Sequence, residues 1–157
     1  MTLGSAKTAL GSRLGKAVMQ PRLLLRAAAV LTLVHALLNT FAGLLSGASQ
    51  SQDEMSVLSA MKALRFDAMG SLRTYWDFYF GFGLFLTVSL LLLSVLMWQL
   101  AALVDVEPAK VRPLIAALCI GFVAFAVLSA LFFFVAPVAV ELVVATLLGL
   151  AYAATRS

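Results

Sequence analysis

Between Leu114 and Ala154 the chain carries one acid, Glu141, and no base. A stretch so poor in charge has no solvated face to offer, and as one helix it would run about 61 Å, twice the apolar thickness of a bilayer. It must therefore double back within a membrane. Pro137 is the natural break, because it lacks an N–H and steers the residue before it away from helical geometry. The expectation is a tight hairpin near Ala136, joining a third span over about residues 114–135 to a fourth over about 138–154. Phe132, Phe133, Phe134 and Val135 make that turn apolar, which places it at headgroup depth rather than out in water.

Two further apolar blocks precede this pair. The first covers about residues 23–45 and would reach roughly 34 Å as a helix, enough to cross with some tilt. The second covers about 78–100 and has Tyr75, Trp76 and Tyr79 at one end and Trp98 at the other, as an interfacial aromatic belt requires. Charged residues make up only 11% of the 157 residues, against about a quarter in soluble domains, so little is left for a soluble catalytic domain. The fold class expected is all-α: a polytopic four-transmembrane-helix bundle forming one membrane domain over 23–157, preceded by an arm over 1–22.

That arm holds Lys7, Arg13, Lys16 and Arg22 without an acid, and reads either as a surface-lying amphipathic helix or as a frayed basic tail. The basic start followed by Ser46-Gly47-Ala48 also has the outline of a signal peptide and its cleavage site. Against this stand the length of the apolar stretch and the presence in it of His35 and Asn39. The connection 46–77 opens with a flexible polar run to Asp53. Beyond it Leu58, Met61, Leu64, Ala68, Met69, Leu72 and Trp76 share one side of a helical wheel, predicting an interfacial amphipathic helix between the first two spans. Of the 11 Lys and Arg residues, Lys62, Arg65 and Arg73 fall in that connection and the other eight fall on the opposite side. The imbalance predicts both termini in the cytoplasm. With the positive charge explained by orientation and anionic lipid, the bilayer is the expected partner and nucleic acid is not.

Chemistry has few places to reside. His35 lies near the middle of the first span with Thr32 and Asn39 on the same face, a polar stripe in an apolar helix. It has two readings: a proton-exchanging or ligand-gripping site with Asn39 orienting the imidazole, or polar groups that hold helices together. Glu141, near the start of the fourth span, either joins His35 and Asn39 in one cluster or reaches back to the headgroups. Asp77, with Tyr75 and Tyr79 and with Arg73 nearby in sequence, stands at the mouth of the second span, as the rim of a pocket or as interfacial anchors. The hypothetical ligand-binding set is thus His35, Asn39, Glu141, Tyr79 and Asp77. Gly81 and Gly83 follow no strand and form no phosphate loop, so close helix packing is their expected role, continued by Thr87 and Ser94. Cys119, the one cysteine, is expected to be a packing residue. One histidine and one cysteine cannot make a zinc site of the usual kind or a bis-histidine haem site, so no metal, cofactor or catalytic residue is assigned.

The basic arm, His35 in the first span, the stretch from Arg73 through Tyr75-Trp76-Asp77-Phe78-Tyr79 to Gly83, and the apolar closing hairpin together resemble small uncharacterised bacterial four-helix membrane proteins. The resemblance implies the span pattern and a bacterial inner membrane, and carries no activity or site residue. Small four-helix proton-coupled exporters are a second architectural comparison, from which the chain departs by lacking an acid in its first span. Three functions follow as expectations. The first is a non-enzymatic protein packing against itself or a larger membrane partner. The second is a binder or carrier of a small lipophilic or weakly acidic ligand around His35. The third is a membrane enzyme acting on a lipid or quinone.

Overall fold

The computed structural model describes residues 20–44 and 51–155. The basic arm up to residue 19, the considered cleavage site at 46–48 and Arg156 lie outside the described residues. The fold is all-α, with four helices long and apolar enough to cross a membrane. Helix α1 (Pro21–Leu38) runs into a wider, π-helical stretch over Asn39–Leu44. Helix α2 (Gln52–Ala63) and a hairpin of strands β1 (Arg65–Ala68) and β2 (Ser71–Thr74) follow, then α3 (Tyr75–Leu103), α4 (Pro108–Phe132) and α5 (Val135–Ala154). Leu92, Ile120 and Leu131 on the long helices are each at least 65% exposed, a surface only lipid can cover. The chain is a multi-pass membrane protein.

Its contacts divide it into two compact units, one of Met1–Leu33 with Leu92–Ser157 and one of Val34–Leu91. The first unit takes residues from all four spans around one apolar core, in which Leu25, Met97, Ile115, Phe122 and Leu148 are each no more than 1% exposed. Ser94 adds a buried polar tie, its hydroxyl donating to the Ala29 carbonyl at 2.8 Å. Cationic side chains of this unit lie against rings or acids. The Arg26 guanidinium is 5.2 Å from the centre of the Trp98 ring and Arg112 is 4.4 Å from that of Tyr152. Arg22 pairs with Asp105 at 3.8 Å, and Lys110 with Glu107 at 2.6 Å. Apolar stems reaching out to such partners are how basic residues end a membrane helix.

In the second unit, α2 begins with a reciprocal capping box. The Ser51 N–H donates to the Glu54 carboxylate at 2.7 Å, and the Glu54 N–H donates to the Ser51 hydroxyl at 3.2 Å. The wheel over 58–76 does not form a single helix. The chain leaves α2 after Ala63, and Met69 and Gly70 then both take positive φ, 53° and 85°, as a two-residue hairpin turn requires. Asp67 accepts the Gly70 N–H at 2.7 Å and holds that turn. The expected helix is therefore confined to its first half, and no residue of it is buried.

Two prolines also sit elsewhere than expected. The fold-back falls at Phe133–Phe134, and α5 starts at Val135 with Pro137 inside its first turn, where a missing N–H costs nothing because no carbonyl precedes it. By the same logic Pro108 starts α4, and Pro113 lies within the helix instead of at its beginning.

Candidate functional site

The first-span stripe is real as a buried face: Thr32 is wholly buried and His35 is 8% exposed. The Thr32 hydroxyl donates to its own helix, to the Ala28 carbonyl at 2.9 Å. Asn39 does not spend its amide on His35. Its Nδ2 donates to the Gly83 carbonyl at 3.0 Å and to the Thr87 hydroxyl at 2.9 Å, both on α3. The Thr40 hydroxyl lies 2.9 Å from the same Thr87 oxygen and also donates to the Ala36 carbonyl. These contacts start where α1 widens into its π-helical stretch, which turns two successive residues, Asn39 and Thr40, toward α3. His35 Nδ1 is buried and has no hydrogen-bond partner among the described residues.

Glu141 is 5% exposed, so it does not reach back to the headgroups. Its Oε1 accepts the Ser129 hydroxyl at 3.0 Å across the α4–α5 pair, while Oε2 has no partner among the described residues. In the same pair the Cys119 thiol donates to the Ala145 carbonyl at 3.4 Å. A Cβ on Gly149 would stand 3.9 Å from that sulfur, ordinary packing distance.

At the mouth of the second span, Asp77 and Thr74 cap α3 reciprocally. The Thr74 N–H donates to Asp77 Oδ2 at 2.8 Å, and the Asp77 N–H donates to the Thr74 hydroxyl at 3.1 Å. Tyr79 is half exposed and lies against Trp76, ring centres 5.5 Å apart, and the Lys62 ammonium sits 4.7 Å from the centre of the Trp76 ring. The two glycines part company. A Cβ at Gly83 would collide with the Leu44 side chain, whereas nothing lies within 4 Å of one at Gly81. That open space belongs to a depression of about 510 Å³ between the hairpin and α3, to which Ala68, Ser71 and Arg73 contribute from the strands. Of the five residues the sequence nominates, Asp77 lines it.

Thr40 and Ser71 are the residues sequence reasoning missed, whereas Arg73 already stands beside Asp77 in the sequence at the same mouth. Thr40 falls off the Thr32–Asn39 face on an ideal wheel, and only the π-helical widening turns it inward. Arg73 and Ser71 are placed by a hairpin that the wheel concealed. Among the described residues no group of three or more His, Cys, Asp and Glu side chains comes together to hold a metal ion. Comparison with protein-family models, curated proteins and solved structures gives no match. The four apolar helices define the class, a multi-pass membrane protein.

Proposed function

We propose that this chain is a non-enzymatic subunit of a bacterial inner membrane, packing against a second copy or a larger membrane partner, with both termini in the cytoplasm. The observation that carries the reading is the use made of Asn39: the most costly amide in the first span is spent on Gly83 and Thr87 of another helix. Ser94 and Ser129 are spent in the same way. Polar side chains so used stabilise helix association and are not held in readiness for a substrate. The orientation rests on the eight Lys and Arg residues that this arrangement places inside.

The test is the mass of the purified particle. Two copies with different tags, co-expressed and extracted in mild detergent, should co-purify, or one should bring a partner in fixed ratio, giving a particle heavier than one 16.7 kDa chain. A homogeneous single chain with no protein partner would overturn the reading. In intact cells Cys119→Ser with single cysteines at Ser51 and Ala109 should label from opposite sides, Ser51 from outside.

One observation favours a second reading, the ligand binder: the buried Nδ1 of His35 lacks a partner among the described residues. A lipophilic ligand with a polar atom facing that nitrogen would satisfy it. Organic extracts of the purified wild type and His35→Ala, compared by mass spectrometry, decide this. A compound present at one per chain in the first and lost from the second supports the binder, and identical extracts dispose of it.

A further inference from the structure

The depression beside the hairpin is not used by any of the helix contacts above. Its position follows from strand register. Phe66 pairs directly with Arg73, so the two side chains share a face of the hairpin, and the Phe66 ring packs on Tyr75 and Phe78 at centre distances of 4.9 and 5.5 Å. Arg73 is therefore carried to the side of the hairpin that faces the start of α3. There it lines the depression together with Asp77, above a floor of Phe78, Gly81, Phe82 and Phe85. Phe78, Phe82 and Phe85 follow helical spacing, and each is at least 42% exposed, giving an apolar track that runs from the charged lip along the span.

The charges at the lip are of opposite sign, and among the described residues neither is in an ion pair. Asp77 gives Oδ2 to the Thr74 N–H, and among the described residues nothing donates a hydrogen bond to Oδ1. A simple anion would meet Arg73 but be repelled by Asp77, and a simple cation would meet the reverse. A zwitterion with an apolar tail matches all three surfaces. We propose that this depression is a lipid site for phosphatidylethanolamine. Its phosphate lies on the Arg73 guanidinium, its ammonium donates to Asp77 Oδ1, and one acyl chain lies along Phe78, Phe82 and Phe85. The ammonium is essential to the match. A choline headgroup has methyls where donors are needed, and a glycerol headgroup brings no positive charge to Asp77.

Native mass spectrometry of the delipidated full-length protein, titrated with dioleoyl lipids bearing ethanolamine, choline or glycerol headgroups, tests this. The wild type should bind the ethanolamine lipid about fivefold more tightly than either other lipid, over glycerol because one charge is met near a headgroup and over choline because its methyls cannot make the charge-assisted hydrogen bond to Asp77. Asp77→Asn keeps an acceptor for the Thr74 N–H and removes the charge, and should abolish that preference. Arg73→Gln should weaken all three lipids. Gly81→Leu should do the same without touching a charge, since a Cβ there has no protein atom within 4 Å and the larger side chain takes up space on the open floor. Lys110→Gln is the control: Lys110 lies on α4, pairs with Glu107 and does not line the depression, and its loss should leave the preference intact. Equal binding of the three lipids by the wild type would overturn the proposal, as would a preference for the glycerol lipid, an ethanolamine preference that survives Asp77→Asn, or full binding in Gly81→Leu.

Discussion

The Asn39 amide donates to the Thr87 hydroxyl at 2.9 Å from a turn that has left α-helical geometry, so a backbone irregularity and an interhelical bond occur at the same place. Because a π-helical stretch replaces the favoured α-helical hydrogen bonds with a wider, less favourable pattern, it persists where side-chain contacts offset the difference. Asn39→Ala and Thr87→Val should each destabilise the protein by about 1 kcal/mol. Their double-mutant cycle should show coupling of about 0.6 kcal/mol, the usual size for such bonds in membranes. Unfolding in mixed detergent micelles measures both. Strictly additive effects would mean that the bond contributes nothing.

The glycines of α3 should respond oppositely to the same change. Gly83→Ala forces the Leu44 side chain aside and crowds the backbone carbonyl that Asn39 uses, and should lower the melting temperature. Gly81→Ala meets nothing and removes a glycine from a helix interior, so it should leave stability unchanged or raise it by up to about 1 kcal/mol. Thermal unfolding of the two variants side by side checks the contrast.

Thr74→Ala removes the hydroxyl that accepts the Asp77 N–H, and should cost about 1 kcal/mol at the start of α3. The loss should be local. Hydrogen exchange should speed up over residues 75–79 and stay unchanged in α4 and α5; uniform protection across α3 would show the cap to be dispensable.

The Ser129–Glu141 pair makes a prediction about polar burial. Ser129→Ala leaves both carboxyl oxygens of Glu141 without a partner among the described residues and should destabilise by about 1–2 kcal/mol. Glu141→Gln keeps an acceptor for the hydroxyl and carries no charge, so it should fold at least as stably as the wild type. A large loss in Glu141→Gln would mean that the carboxyl itself has a partner, and detergent unfolding of both variants distinguishes the cases.

What could be read from the sequence follows from which forces are local. The four spans were legible because burial in lipid demands long unbroken apolar runs, and the buried face of Thr32 and His35 because polar residues in such runs stand out. Ser51-Gln52-Asp53-Glu54 is a helix-start pattern in plain view, although a reading of 46–53 as flexible passes over it. The hairpin was hidden for two reasons. Its apolar residues fall at helical spacing, and its turn places Met69, a poor residue for positive φ, before Gly70. The partner of Asn39 was not legible at all. Nothing in one helix specifies which groove of another will face it, and the π-helical shift displaces the faces that an ideal wheel assigns.

The two residues that link α4 to α5 bear on how the protein is made. Phe133 and Phe134 allow no separate excursion of either helix, and both helices are predominantly apolar. The buried carboxyl of Glu141 also finds its hydroxyl partner only twelve residues away in sequence, within the same pair. Such a pair can enter the bilayer during synthesis as one preassembled unit, with its acid already partnered before it meets lipid. The last two spans would then be a single step in biogenesis, following an orientation already set by the basic residues around the earlier spans.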